Sequence, residues 1–531
     1  MIRRIIIAVC LVAVLGVPLV LPLTTLFANK SLAPWSERER IAGLAATTIE
    51  LCLCTIAMAL PVGVALAAAL YRTNLPGRRL LRVVLSIGLF IPLPLFALAW
   101  QSVGGGWRPW TMGLLPAAFV HAMAALPWVV WLTGLGLSRV EPDLEEDART
   151  VAADGVVLWR VSMKRAAPAI GLAAVWVALQ AAGEITVTDL GMVRTFAEEV
   201  YTEFVTDSPE ALGRAVAVGL PATVLTIVGV AFLVRRWSRP LTLTTSARPT
   251  LVVDLGHARW PLFAVVVIVV AIYAAVPLGS LIRQAGSGAD WSAHRFSVEC
   301  RRAATLHVPM LLDSILAAAT AGAIAAGLAL VASWMALDSR IIRGLLFALA
   351  IALWATPGPV LGFGLKSAID RAMDCEDLLL AWTTARPFRA LFYEQSTPLP
   401  VMWAHVTRLF PYAVAIVWPA VHAVPRDLRE AARLDGATAW GEFRRVIWPA
   451  TRPSFLVAAL AVMALALSEL AASKIVQVPG RQTFAQELFA QMHYAATATT
   501  AALALIQMVL VLGAWAIVSA VARPIRVGPS E

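Results

Sequence analysis

The chain has 531 residues, 60% of them hydrophobic and 14% charged, with a mean hydropathy of +0.77. Soluble domains carry roughly 25% charged residues, so a soluble fold is excluded: a core of this length could not bury so much apolar surface, and a bilayer can. The formal net charge of +10 would suit a nucleic-acid binder, but the basic residues fall in short loops between apolar runs, where cytoplasmic membrane loops carry them.

In chain order, Arg3 and Arg4 precede an apolar run to Ala28 that contains Pro18 and Pro22. It is longer than the roughly 7–15 apolar residues of a cleaved signal peptide and is expected to be a retained first span. Further runs of spanning length lie near 45–70, 80–100, 112–137, 169–190, 211–234, 260–282, 309–336, 342–365, 400–423, 454–474 and 499–522, which predicts an all-α membrane protein with twelve transmembrane helices. Pro61, Pro92, Pro94, Pro127, Pro357, Pro359 and Pro411 interrupt several of them, as membrane helices tolerate where neighbours satisfy the freed carbonyls. Lys and Arg concentrate at the N-terminus, the 72–82 turn, the loops at 141–168 and 425–453, a basic linker at 235–259, Arg340, Arg343 and the tail. The positive-inside rule makes those segments, and both termini, cytoplasmic. The outer loops at 284–308 and 366–399 mix charge with aromatics and are expected to form short helices that meet a soluble partner. Cys10, Cys52 and Cys54 lie in apolar spans as small hydrophobes; Cys300 and Cys375 fall in outer loops, where a disulfide would be permitted.

Two polar interruptions stand out. Glu430 to Pro453 reads EAARLDGATAWGEFRRVIWPATRP, with small residues at Ala431 and Ala432 that admit a close backbone and Gly436 placed for a turn. A second copy, Glu146 to Pro168, reads EDARTVAADGVVLWRVSMKRAAP. It has Asp147 for the first Ala and Ala152 where the Gly should be; Ala148 is kept, and Gly155 is the candidate for a turn three residues later. The repeat extends further. Pro116, His121, Pro127 and Asp143-Leu144 match Pro400, His405, Pro411 and Asp427-Leu428, while Pro168 and Glu184 match Pro453 and Glu469. The stretch TFAEEVYTEF matches TFAQELFAQM. This predicts two parallel six-helix repeats, 1–234 and 260–531, joined by the linker at 235–259.

The paired segments closely resemble the EAA loops of permease subunits of binding-protein-dependent ABC importers, and the two-lobed chain resembles the ferric iron and thiamine permeases in which one polypeptide carries both halves. The resemblance implies two separate ATP-binding ABC subunits docked on the cytoplasmic loops, an external solute-binding protein, a multi-pass location in the bacterial inner (cytoplasmic) membrane and a transport subunit that is not itself an enzyme. It implies coupling roles for Glu430, Ala431, Ala432 and Gly436, and for Glu146, Ala148, Ala152 and Gly155, with Glu430 paired to an Arg of the ATPase. Because the first copy lacks the turn Gly, unequal contacts are expected, the second tighter.

The chain has no GxxxxGK[ST], so energy must come from a partner. No HExxH or CxxC pattern suggests a metal or cofactor, and none is expected. Within the spans, Glu184 and Glu469 lie about 24 Å along their helices from the matched prolines, near the outer ends, with Asp189 and Lys474 five residues on. Intramembrane acids are functional candidates; these either line a central pathway or cap helices at the surface. His121 and His405 are read as helix-to-helix hydrogen-bonding groups or as ligand contacts. Acids in the pathway would suit a cation, which favours ferric iron; thiamine, a polyamine or an oxyanion remain open. An ion-driven secondary transporter with parallel repeats is the alternative from another class, and it gives no reason for paired EAA loops.

Overall fold

The computed structural model describes residues 2–28, 33–103, 112–205, 211–237, 251–288, 290–382, 389, 397–493 and 497–521. Most of the linker and the tail from 522 onward lie outside them. In chain order the helices are α1 (Ile2–Ala28), α2 (Arg38–Arg72), α3 (Arg78–Gly88), α4 (Leu93–Val103), α5 (Leu114–Leu137), α6 (Pro142–Arg149), α7 (Asp154–Val157), α8 (Met163–Gly183), α9 (Thr186–Leu190), α10 (Phe196–Val205) and α11 (Ala211–Trp237). They continue with α12 (Arg259–Ala285), α13 (Ala293–Leu337), α14 (Arg340–Ala355), α15 (Gly358–Leu380), α16 (Leu399–His422), α17 (Arg426–Leu434), α18 (Ala439–Glu442), α19 (Trp448–Ala466), α20 (Phe484–His493) and α21 (Thr497–Val521).

Eight helices among the described residues are long and apolar enough to cross a bilayer, and ten spans result if two bent pairs each count as one. α1 and α11, at 27 residues each, have side chains partly outside the described residues. The bent pairs correct the expectation of continuous spans near 80–100 and 342–365. α3 and α4 meet at 102°, and α14 and α15 at 112°. The cause is the Pro-x-Pro sequence at each break: two missing amide donors, plus the steric restriction each Pro puts on its predecessor, end a helix where a single Pro only kinks it. The 284–308 region is also corrected. From Ala293 it belongs to α13, a single helix of 45 residues, about 67 Å long against a hydrocarbon core of about 30 Å.

α2, α5 and α8 pack on one another, as do α13, α16 and α19. In α13 the buried face reads Ala317, Ala318, Ala321, Gly322, Ala325, Ala326 and Ala329. Small residues one helical turn apart let backbones approach where lipid offers no hydrophobic driving force between helices. α1 and α12 each reach a core built mostly by helices distant in the chain. Leu11 and Leu15 of α1 join the core built by α13 to α19, while Val266, Val270 and Tyr273 of α12 join the core of α2, α3, α4 and α5. Glycines mark both docking points: a Cβ on Gly364 would collide with the Pro18 carbonyl oxygen, and one on Gly88 with the Tyr273 hydroxyl. The linker boundary in the sequence therefore does not coincide with the boundary between packed cores.

Candidate coupling segments and pathway

The second candidate coupling segment is α17, a turn, α18 and a π turn at Phe443–Ile447 that leads into α19. Gly436 has φ +79°, a conformation closed to β-branched residues, and its amide donates to the Arg433 carbonyl at 3.1 Å. Thr438 then caps α18, accepting from Gly441 N at 3.2 Å. On the inner side Arg429 and Arg433, one turn apart on α17, each bridge two acids. Arg429 donates to Glu442 Oε1 at 2.8 Å and Asp338 Oδ1 at 2.7 Å. Arg433 donates to Glu442 Oε2 and Asp338 Oδ2, both at 2.7 Å. Burial alone would raise the Asp338 carboxyl, but the two guanidiniums outweigh it and hold its pKa below the usual carboxylate range. The hydrogen bond to Glu442 raises Arg433 above its ordinary value. These residues border an open cleft of ≈ 730 Å³ that Arg426 and Glu430 also line.

Glu430 is exposed and pairs with Arg426 at 2.7 Å. Ala431 is exposed and Ala432 half-buried. Around them Leu428, Trp440 and Leu434, the last 88% exposed, face outward. Trp440 is held flat on Phe443, which packs on Trp334. Exposed large apolar side chains among charges mark a docking surface.

The first segment has the same plan in α6 and α7, including a π turn at Leu158–Ser162. Its turn spans Thr150 to Ala153 with no left-handed residue; Thr150 and Val151 amides return to Asp147 and Ala148. Gly155 lies inside α7 and does not make the turn, which corrects that expectation. An Arg149–Asp154 ion pair at 2.8 Å closes the turn instead, so Ala152 suffices there. Ala148 and Ala152 are half-buried, Glu146 is exposed, and Val151 and Trp159 are presented outward.

The buried ion pairs are what sequence reasoning missed. Glu145, 1% exposed, pairs with Arg72, fully buried at the end of α2. Glu145 and Arg429 sit immediately before Glu146 and Glu430. The corresponding partners, Arg72 and Asp338, stand at the ends of α2 and α13, so the polarity of the pair is inverted between the two segments. The available signal was a charge of opposite sign at the end of α2 and of α13, two spans earlier in the chain in each case.

The pathway candidates resolve differently. Both oxygens of Glu184 accept backbone amides, Thr186 N at 2.8 Å and Val187 N at 2.9 Å. Glu469 likewise accepts Ala472 N and Ser473 N at 2.8 and 3.0 Å. Both acids cap the turn that ends their helix. His405 Nε2 lies 4.0 Å from Glu469. His121 Nε2 and both ring nitrogens of His405 are buried without a hydrogen-bond partner. Lys474 Nζ stands 4.5 Å over the Phe489 ring, and Asp189 is exposed at the end of α9. With both carboxylates engaged by backbone amides, Glu184 and Glu469 do not favour a cation. Among the described residues no group of three or more His, Cys, Asp or Glu is arranged to hold a metal ion, and Cys300 and Cys375 are both free thiols.

An aromatic cluster occupies the place where the two cores meet. Trp176 of α8 lies 4.4 Å from Trp128 of α5, stacks on Trp354 of α14 at 5.3 Å and meets Tyr412 of α16 edge-on at 5.7 Å. Trp128 and Tyr412 fall mid-helix. Trp176 is 8% exposed, and its indole N–H has no acceptor. Beside it, Arg408 donates to the Thr356 carbonyl at 2.6 Å, at the α14–α15 break.

The fold and these segments define a polytopic helical membrane protein with paired amphipathic helix–turn–helix projections. Residues 325–527 match the family described as "Binding-protein-dependent transport system inner membrane component", a match that spans less than half of the chain. The chain is 35% identical over 51 residues to the probable starch degradation products transport system permease protein AmyD of Thermoanaerobacterium thermosulfurigenes, covering 10% of this chain and 18% of that one. It is 34% identical over 89 residues to the trehalose transport system permease protein SugA of Mycobacterium tuberculosis, covering 15% and 29%. To the trehalose/maltose transport system permease protein MalF of Thermococcus litoralis it is 25% identical over 118 residues, covering 22% and 40%. Each match spans less than half of the relative. These names concern sugars, and none supports the expectation of ferric iron.

Proposed function

We propose that the chain is a fused permease of an ABC importer, built as two parallel six-helix repeats, with the linker and both coupling segments cytoplasmic. It is a transport subunit: two separate ATPase subunits dock on the coupling segments, and a solute-binding protein delivers substrate to the outer face. The observation that carries this reading is the pair of helix–turn–helix projections in equivalent positions, each ending in a π turn and presenting exposed apolar side chains next to an acid, Glu146 or Glu430. The family match over 325–527 supports it. Closure of the ATPases would push both projections together and rock one packed core against the other about the aromatic junction. Replacing Glu430 by Arg is expected to uncouple ATP hydrolysis from uptake by at least tenfold while leaving the protein in the membrane. Normal uptake in inverted or right-side-out vesicles carrying Glu430→Arg would overturn the coupling role.

For substrate, the reading supported best is a small polyhydroxylated solute such as a disaccharide. Aromatic faces stack on the C–H faces of pyranose rings, and the indole N–H of Trp176 and the Arg408 guanidinium supply donors for hydroxyl oxygens near the bilayer midplane, where transporter sites lie between repeats. The names of the sugar permeases point the same way. Trehalose or maltose should quench the intrinsic fluorescence of the protein in nanodiscs, and Trp176→Ala should remove most of that response. No response to either sugar, or a response only to ferric citrate or thiamine, would refute the substrate class.

A further inference from the structure

The linker reappears at Leu251 and runs beside the end of α2. Val253 N donates to Arg72 O at 2.8 Å and Asn74 N donates to Val253 O at 3.2 Å, a short parallel bridge centred on Thr73 and Val253. Leu255 N donates to Asn74 Oδ1 at 3.1 Å, and the Asn74 amide reaches Asp254. The buried ion pair reads the same segment: Glu145 Oε2 accepts Leu251 N at 3.0 Å, and Arg72 donates to Leu251 O at 3.1 Å. The remaining oxygen of Glu145 takes the Ser162 hydroxyl at 2.6 Å. Leu251 and Val253 are buried against Val157, with Ala148 and Ala152 alongside.

The second coupling segment has a different support. Its inner side is held by the Asp338–Arg429–Glu442–Arg433 ring, every member of which comes from α13, α17 and α18. Where the second half uses Glu442, the first has Val157 covered by linker residues. Without the linker, Val157 would face water and the Glu145 oxygen that accepts Leu251 N would lose a partner.

We infer that residues 251–255 are a brace for the first coupling segment, holding α6 and α7 on the end of α2, and are not part of a passive tether. The functional consequence rests on the reading of these segments as ATPase docking sites; the brace itself does not. Four residues beyond the brace α12 begins, and α12 is packed on α3 and α4, so the first segment is wired directly to a span.

The test uses the full chain in nanodiscs with Leu251→Ser/Val253→Ser, which keeps the backbone bridge able to form, and Asn74→Ala as a milder second variant. Hydrogen exchange of the amides in 142–162 should accelerate at least tenfold in the double variant and by a smaller factor in Asn74→Ala, with 426–447 unchanged. Unchanged exchange in 142–162, or equal acceleration in both segments, would overturn the brace. Cross-linking to purified ATPase subunits from Val151→Cys and Leu434→Cys, in a background without the native cysteines, separates the two readings. Loss at Val151→Cys alone in the double variant supports the brace as part of coupling. Accelerated exchange with no cross-link from either site in the unsubstituted linker supports the brace and overturns the ATPase reading.

Discussion

Glu442→Gln isolates the ring that holds the second coupling segment. Glu442 is 2% exposed and accepts the Nε–H groups of Arg429 and Arg433. Removing one partner of a buried pair costs about 3–5 kcal/mol when the other is left uncompensated. Here the loss is smaller, because Asp338 still neutralises the buried Arg429 and the amide oxygen of Gln still accepts one bond. The bond to Arg433, whose side chain is 45% exposed, is screened and counts for less than about 1 kcal/mol. That leaves about 2–3 kcal/mol, or roughly 30- to 150-fold at about 1.4 kcal/mol per factor of ten. The expected outcome is acceleration by that factor of amide exchange in 426–447, measured on the full chain in nanodiscs, with 142–162 unaffected. Arg426→Ala, which removes only the exposed pair to Glu430, should change exchange less than about threefold. A change below threefold for Glu442→Gln, or the same change in both segments, would refute the claim that the ring holds this segment.

Two glycines give further checks. Gly364→Ala places a methyl group on the Pro18 carbonyl and should destabilise the seating of α1 by about 1–3 kcal/mol, read as a lower Tm together with faster exchange in α1; an unchanged Tm would refute that seating. Gly436→Val forces a β-branched residue to φ +79° at a cost of about 1–3 kcal/mol. It should weaken ATPase binding to the second segment, whereas Ala152→Gly in the first, whose turn needs no left-handed residue, should leave binding unchanged.

What the sequence made legible was whatever is local. The Gly436 turn follows from the lack of a Cβ, whereas the breaks at Pro92–Pro94 and Pro357–Pro359 overturn the expectation of continuous spans, because two prolines act together where one would only kink a helix. Gly155 was misread because a Gly three residues late was the nearest candidate; the Arg149–Asp154 pair, invisible as a turn signal, made a left-handed residue unnecessary. Glu184 and Glu469 were placed at the right helix ends, yet whether a carboxylate at such an end faces a pathway or its own backbone depends on where the chain turns next. The Arg72–Glu145 and Asp338–Arg429 pairs escape a repeat comparison because it looks for identity, and their polarity is inverted. The Trp128–Trp176–Trp354–Tyr412 cluster draws on four helices that only the assembled packing brings together.

The brace also explains the course of residues 251–255 past the end of α2. Fixing a residue costs about 1–2 kcal/mol of backbone entropy, so ordering five residues costs about 5–10 kcal/mol. The six hydrogen bonds to Arg72, Asn74 and Glu145, at about 0.5–1.5 kcal/mol net each, no more than match that cost. α12, however, is anchored on α2 to α5 by Val266, Val270 and Tyr273, and it starts at Arg259, four residues past the brace. The chain leading into α12 must pass the end of α2 whatever its sequence, so much of the ordering follows from that anchoring and only the remainder falls to the contacts of Leu251, Val253 and Asn74. Seating α12 between α4 and α21 and bracing α6 and α7 are thus one arrangement: a chain in which α12 touched α21 and not α3 and α4 would have no reason to lead residues 251–255 past Arg72.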